Sequence, residues 1–327
     1  MLAWAAMSQD LSPWAEKTEL EVAASTTFPE RSYRLSSGCF GPCQLQFSSD
    51  QGRLAFTGAG ALRVLELAGA GLERVADGPW VYAKAIAWSA DGTRLFAAED
   101  GLNADFRVRG FVVALSPDAV ELDRRAIPWG VTGLACGPSS ELAVTIEYTR
   151  RSGLWLLEPC SRDLRQISRI PARAPTFNPA GDLLLMHTTE GGVAVVDRTG
   201  EVQLSSSVGR FVAWQGDREI WLNLGAPQAD RPTGIFRARL RGGGKVSLEH
   251  MFTVPGDAVQ FGLTRDYLVA LCSRSLRVEV FELGSGRRVG AVAIGAGGSR
   301  AQMVVGARAA VAVAPDGEAL LTVIDLG

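Results

Sequence analysis

Short apolar stretches alternate along the chain with turns rich in Gly, Asp, Asn and Ser. The clearest example is IAWSADGTRLFAAEDG at 86–101, where one apolar stretch leads into a Ser-Ala-Asp-Gly turn and a second follows it. This pattern predicts a β-hairpin, because Asp caps backbone amides in a turn and Gly accepts positive φ. Capped stretches with a helical period are nearly absent. The pattern therefore predicts an all-β protein.

The hairpin recurs along the chain. Strong copies start at 45, 86, 134 and 175, and weaker ones at 212, 259 and 303. The last large apolar residues of their first strands lie 37 to 48 residues apart: Phe47, Trp88, Cys136, Phe177, Trp214, Phe261 and Val305. A third apolar stretch and a more polar fourth one follow. Four short strands per repeat of this length indicate the blades of a β-propeller.

The repeats resemble the WD40-like family of seven-bladed β-propellers, through their strand–turn–strand copies and strand ends such as Val196-Asp197 and Ile324-Asp325. They depart from that family in lacking a Gly-His dipeptide at blade starts and a Trp-Asp at blade ends. The resemblance implies a single propeller of seven four-stranded blades over 31–327, preceded by an N-terminal extension over 1–30. A pair of β-sandwiches is the alternative, but it does not explain near-equal intervals.

The seventh copy ends after its third strand, which would leave an open sheet edge. The segment RSYRL at 31–35 stands as far before the first hairpin as LERVA at 72–76 stands before the second. We therefore expect this N-terminal strand to complete the last blade.

Composition narrows the functional classes. The net charge of −2 argues against a general nucleic-acid binder. Five irregularly spaced cysteines do not indicate the disulfide framework of a secreted domain. The N-terminal apolar stretch is short and has no basic residue before it, so we expect a cytoplasmic protein with no membrane span.

Motifs for catalysis and cofactors are weak. The glycine pairs lack the third glycine and the helix of a nucleotide-binding loop, and Cys39-x-x-x-Cys43 has no second pair of metal ligands. We therefore predict no catalytic residue, no cofactor and no metal. The acidic residues expected in loops are interpreted as solvated surface groups, with a catalytic role for one of them as the alternative: Glu99, Asp100, Asp105, Glu147, Asp230 and Asp257.

The leading hypothesis is a non-catalytic protein–protein interaction scaffold, or an adaptor subunit of a larger assembly. Its binding face would carry the connections between blades and those between second and third strands, the longest of which are expected over 98–109, 145–152 and 222–233. Exposed Trp, Tyr and Arg often anchor interfaces, and a basic rim favours an acidic partner segment. The candidate partner-binding residues near these connections are Trp80, Tyr82, Lys84, Trp129, Tyr148, Arg150, Arg151, Arg173, Arg210, Phe211 and Arg300.

Two alternatives stay open at this point. The aromatic side chains can pack beneath their own loops while the arginines are solvated. The protein can also be a propeller enzyme of the hydrolase or lactonase type, or a small-ligand binder, that uses the central funnel.

Overall fold

The computed structural model describes residues 28, 30–34, 44–58, 61–67, 73–75, 83–102, 108–128, 130–147, 152–158, 163–224, 232–242, 244–294, 301–314 and 320–326. Within these ranges the chain forms β-strands and no helix. The strands make seven four-stranded antiparallel sheets, one for each blade. The predicted all-β, seven-bladed fold is confirmed.

The first four blades each use four consecutive strands. The first blade consists of β2 (Leu45–Phe47), β3 (Arg53–Gly58), β4 (Ala61–Glu66) and β5 (Glu73–Val75). The second consists of β6 (Ala83–Trp88), β7 (Leu95–Leu102), β8 (Val108–Leu115) and β9 (Glu121–Ile127). The third consists of β10 (Val131–Cys136), β11 (Leu142–Ile146), β12 (Gly153–Leu157) and β13 (Leu164–Ser168). The fourth consists of β14 (Ala172–Phe177), β15 (Leu183–Thr188), β16 (Val193–Asp197) and β17 (Val202–Ser206).

The fifth and sixth blades also use four consecutive strands, whereas the seventh includes the N-terminal strand. The fifth blade consists of β18 (Arg210–Trp214), β19 (Glu219–Leu224), β20 (Thr233–Leu240) and β21 (Val246–Val254). The sixth consists of β22 (Ala258–Leu263), β23 (Tyr267–Cys272), β24 (Arg277–Glu282) and β25 (Arg288–Ala293). The seventh consists of β26 (Gln302–Val305), β27 (Ala309–Ala314), β28 (Leu320–Asp325) and β1 (Glu30–Arg34).

The N-terminal strand closes the seventh blade as predicted. β1 pairs antiparallel with β28, with Arg31 opposite Val323 and Arg34 opposite Leu320. The strand starts at Glu30, one position earlier than the predicted segment. Without β1, the seventh sheet would end at the edge of β28.

The strand boundaries correct two expectations. The first strand of the sixth blade does not end at Phe261 but runs two residues further, to Leu263. The connection predicted over 98–109 is shorter, because β7 reaches Leu102 and β8 begins at Val108. Glu99 and Asp100 therefore lie in a strand, paired with Phe111 and Gly110.

By its internal packing the chain divides into two compact units. One contains the described residues of 39–190 and 194–202, and the other contains those of 1–38, 191–193 and 203–327. Within each unit, the apolar core lies between consecutive blades; Ala55 and Val64 of the first blade, for example, share a cluster with Ala97 and Val113 of the second. The inner strands are therefore buried on both faces, which explains why apolar and polar residues alternate imperfectly along them.

Side chains also bridge the first strands of consecutive blades. The Oε1 atom of Gln46 accepts a hydrogen bond from the backbone N–H of Trp88 at 3.1 Å, and Gln260 does the same for Met303 at 2.6 Å. The hydroxyl of Thr132 donates to the carbonyl of Ala172 at 3.2 Å. These bonds fix the spacing between neighbouring first strands.

The hairpin turns use the predicted chemistry. Asp91 accepts hydrogen bonds from the Ser89 hydroxyl at 2.6 Å and from the Thr93 backbone N–H at 2.9 Å, which hold its pKa at about 2. Asp50 forms the equivalent contact with the backbone N–H of Gly52 at 3.0 Å. Asp182 instead accepts from the side-chain amide of Asn178 at 2.6 Å, and it is Asn178 that caps the backbone N–H of Leu183. The capping of backbone amides predicted for turn aspartates is confirmed for Asp50 and Asp91.

Candidate functional site

Each blade has two ends. At one end of each blade the first strand begins and the second strand finishes, and we call it the loop end. The opposite end carries the hairpin between these two strands, and we call it the turn end. In five blades the pairing of the first two strands shifts register near the loop end, at Ala83/Ala85, Val131/Gly133, Arg173/Thr176, Phe211/Ala213 and Ala258/Gln260. Such β-bulges leave a residue out of the ladder and redirect nearby side chains.

Arg173, at the loop end of the fourth blade, is held by a carboxylate of the third blade. Its Nε and Nη2 donate to Oε2 and Oε1 of Glu147, each at 2.9 Å. The Glu147 side chain is buried, whereas that of Arg173 is 52% exposed. Two parallel bonds fix the plane of the guanidinium, so this cation is oriented yet accessible.

Lys84 occupies the bulge of β6 and donates to the carboxylate of Asp100 at the end of β7. Asp100 also accepts from the backbone N–H of Gly130 at 3.2 Å. Beside it, Glu99 is 5% exposed and forms an ion pair with Arg124.

These contacts correct the interpretation of Glu99, Asp100 and Glu147 as solvated surface acids. All three are shielded from solvent and paired with cations. Glu99 and Asp100 lie in β7, which is longer than expected, and Glu147 directly follows the last residue of β11; at these shielded positions an unpaired charge would be costly.

Arg210 begins β18, and its contacts differ from those of Arg173. Its Nη1 donates to the backbone carbonyl of Val259 in the sixth blade at 2.6 Å. Val259 is the extra residue of the β22 bulge, so its carbonyl is not used by the ladder. Burial alone lowers the pKa of the Arg210 guanidinium, which nevertheless stays charged at physiological pH.

Most of the other candidates lie outside the described residues. Phe211 lies in β18, next to Arg210. Those outside the described ranges are Trp80, Tyr82, Trp129, Tyr148, Arg150, Arg151 and Arg300, together with Cys39, Cys43, Asp105, Asp230 and Asp316. The described structure thus brings Lys84, Arg173 and Arg210 to the loop ends of their own blades.

Two buried acids, Glu141 and Glu279, were not identified from the sequence. Glu279 in β24 is 6% exposed, and its Oε1 accepts from Arg288 at 3.2 Å while Oε2 has no hydrogen-bond partner. Burial, and then the nearby Asp257 carboxylate, raises the pKa of Glu279. The available signal was its position between Val278 and Val280, in a strand expected to be buried.

The two described cysteines are free thiols at the ends of strands. Burial raises the pKa of Cys136 to about 11. Burial, reinforced by Glu279 and Asp257, also raises the pKa of Cys272. Both thiols behave as small hydrophobic residues. Within the described ranges, no three His, Cys, Asp or Glu side chains form a group suited to a metal ion.

Glu279 gives the protein a pH-dependent stability. Because its folded-state pKa lies above the ordinary value, the folded state holds a proton that the unfolded state releases, and stability falls as pH rises through that window. We expect Glu279→Gln to remove this fall and to raise Tm at pH 7 by roughly 2–4 °C, the equivalent of about 1 kcal/mol. Thermal unfolding from pH 4 to 8 measures it.

The control is Glu282→Gln at the exposed end of the same strand, which should change Tm little. If Glu279→Gln were less stable than the wild type at pH 7, the Arg288 ion pair would outweigh the cost of burying the charge.

A groove of about 540 Å³ lies at the turn ends of the second and third blades. Its floor includes Phe96, Val112 and Leu157, and charged residues such as Arg94 and Asp123 line its rim. The volume is in the range of small-molecule sites. The groove lies at the opposite end of the second blade from Lys84.

Seven four-stranded blades define this chain as a seven-bladed β-propeller, the fold of the WD40-like family that its repeats resemble. The β-propeller domain of Cps50 (Swd1) from Myceliophteria thermophila superposes with a TM-score of 0.68 over 90% of this chain and 99% of that domain, at 16% identity. Hydrazine synthase from Kuenenia stuttgartiensis gives a TM-score of 0.65 over 94% of this chain and 99% of its own, at 14% identity.

These similarities establish the fold. No protein-family profile matches the chain, and no curated protein sequence gives a significant match. In the part of the chain that the structure describes, no helix is long and apolar enough to cross a membrane.

Proposed function

We propose that this protein is a non-catalytic protein–protein interaction scaffold or adaptor subunit that binds partners through the loop ends of its blades. The observation that carries the proposal is the state of the cations at these ends. Lys84 is held by Asp100, Arg173 by Glu147 and Arg210 by Val259, and all three side chains remain partly exposed.

Immobilised cations favour recognition. A binding surface whose long side chains are already ordered loses less conformational entropy when a partner docks. The bridges between first strands, such as Gln46 to Trp88, hold the underlying strands in place. Rigid strands that display loops at their ends are a common arrangement for binding sites. An acidic partner segment suits the charge of these residues.

The contacts of the acidic residues also support a scaffold. Glu99, Asp100 and Glu147 serve as counterions of Arg124, Lys84 and Arg173. Carboxylates held in these internal ion pairs orient the cations of the binding surface. We also propose a cytoplasmic location, which the odd number and irregular spacing of the five cysteines support.

The enzyme alternative rests on Glu279, because a carboxyl group with a raised pKa beside a second carboxylate is a frequent acid–base arrangement. At 6% exposure, however, the Glu279 side chain offers little surface to a substrate. Its position inside a blade favours a structural role.

The test is affinity purification of the tagged full-length chain from its native host, with quantification of the co-purified proteins. The loop-end variant combines two of the candidate residues, as Lys84→Ser with Tyr148→Ser. The matched control carries Arg94→Ser and Arg241→Ser, which lie at the turn ends of their own blades. We expect a stoichiometric partner that the control retains and the loop-end variant loses by about 10-fold or more, as for hot-spot residues.

The proposal fails if no stoichiometric partner co-purifies. It also fails if the turn-end variant loses the partner and the loop-end variant retains it. Circular dichroism and Tm of both variants confirm that the fold is intact.

A further inference from the structure

We propose that Arg210 is a carboxylate-binding residue that grips an aspartate or glutamate side chain of an acidic partner segment. This inference rests on the proposed scaffold function and names the chemistry of one contact. It starts from the comparison of two arginines that hold the same place in consecutive blades.

Arg173 and Arg210 each stand four residues before the last large apolar residue of their first strand, Phe177 and Trp214. Both lie at the loop end, next to a β-bulge in that strand. Arg173 uses its Nε and Nη2 atoms to hold the two carboxylate oxygens of Glu147. This edge of a guanidinium matches a carboxylate in spacing and direction.

In Arg210 a different edge is occupied. Nη1 is anchored to the carbonyl of Val259 at 2.6 Å. Among the described residues, the Nε and Nη2 atoms have no hydrogen-bond acceptor, and no carboxylate forms an ion pair with the guanidinium. The cation is nevertheless half-buried, and burial is the only influence on its pKa.

The sequence explains the difference. The backbone N–H of Glu147, just after β11, donates to the carbonyl of Gly130, and the residue with the equivalent bond just after β15, to Pro171, is Thr189, which carries no charge. Arg173 in the fourth blade thus has an acidic partner, Glu147, in the blade before it. Arg210 in the fifth blade has a neutral residue at that position of the fourth blade. A half-buried guanidinium without a counterion is unfavourable, so an external carboxylate would gain both the bidentate bonds and the neutralisation.

The backbone prepares this side chain for binding. The Val259 carbonyl is free to accept because the β22 bulge removes it from the ladder. Opposite Arg210 in the register, Asn223 is buried and held by the Thr233 hydroxyl at 3.1 Å and the Gly234 carbonyl at 3.2 Å. The guanidinium is therefore anchored on one side while its carboxylate-binding edge has no described partner.

The experiment titrates the full-length protein, labelled with ¹⁵N-arginine, with a hexaglutamate peptide blocked at both termini. The Nε–Hε signal of Arg210 is assigned by its disappearance in Arg210→Lys. We expect this signal to shift on titration, and the peptide affinity to fall by about 10-fold or more in both Arg210→Gln and Arg210→Lys. Lysine keeps the charge but lacks the parallel donors.

Four controls test the ligand chemistry and the site. A blocked hexaglutamine peptide should not shift the Arg210 signal, and Arg94→Gln should leave the hexaglutamate affinity unchanged. Binding only to a hexaglutamine peptide with a free C-terminus, or only to inorganic phosphate, would overturn the assignment to an acidic segment. An unmoved Arg210 signal, or equal shifts at Arg210 and Arg94, would overturn the site itself.

The outcome is distinguishable from that of the scaffold proposal. If hexaglutamate binds through Arg210 but no partner co-purifies with the protein, the site stands and the scaffold function fails. If a partner co-purifies through the loop ends but hexaglutamate leaves Arg210 unaffected, the scaffold stands and the carboxylate site fails.

Discussion

Deletion of residues 1–36 is expected to lower Tm by roughly 10 °C and to make the protein aggregate. The deletion removes β1, whose five residues pair with β28. Losing the hydrogen bonds of this ladder, at about 1 kcal/mol each, costs on the order of 3–5 kcal/mol. It also removes Phe28, whose ring packs edge-on against Tyr267 at 5.8 Å. The newly open edge of β28 is a template for pairing between chains.

Thermal unfolding and light scattering measure both effects. Deletion of residues 1–6 is the control, because it leaves β1 intact and should behave as the full chain. A synthetic peptide of residues 28–36, FPERSYRLS, should restore Tm when added to the longer deletion, whereas a scrambled peptide should not. A deletion variant that stays monomeric with an unchanged Tm would show that β1 contributes little to closure.

Arg198→Ala is expected to destabilise the protein by about 3–5 kcal/mol, the usual cost of leaving a buried charge without its partner. Arg198 forms an ion pair with Glu141, whose side chain is only 5% exposed, across the third and fourth blades. Its Nε also donates to the carbonyl of Gly181 at 2.7 Å. One of the Glu141 oxygens already lacks a partner, so removal of Arg198 leaves the carboxylate largely unsatisfied.

Urea unfolding of a double-mutant cycle tests this explanation. Glu141→Gln combined with Arg198→Ala should be less destabilised than Arg198→Ala alone, because the buried group is then neutral. Arg125→Ala is the control, since its ion pair with Asp123 is exposed and should contribute at most about 1 kcal/mol. Equal stability of Arg198→Ala and the wild type would mean that solvent reaches Glu141 at no cost.

Local patterns account for most of what could be predicted about the fold. The turn chemistry of Asp50 and Asp91 depends on residues two positions away, so it is legible in the sequence. The spacing of the hairpins predicted the number of blades because each of the first six blades is built from consecutive strands. The unfinished seventh copy required another strand, which predicted the role of the segment over 31–35.

The candidate site was only partly predictable. Lys84, Arg173 and Arg210 lie at loop ends as their offsets from the strand ends implied. Their partners were not predictable, because a bulge changes which residue leaves the ladder without changing the apolar pattern. The expected loop acid Glu99 proved to be a buried counterion because β7 extends further than the apolar pattern indicated, and Glu147, which directly follows β11, is buried and paired with Arg173.

The sequence by itself thus determined the all-β class, the repeat, the turn aspartates and the closing strand, because each depends on near neighbours or on counting copies. The tertiary structure alone decided which charges are neutralised. The Arg173–Glu147 and Arg198–Glu141 pairs join residues 26 and 57 positions apart, on separate blades. Whether such a pair forms depends on how two sheets face each other, and the same geometry leaves Arg210 with a carbonyl in place of a carboxylate.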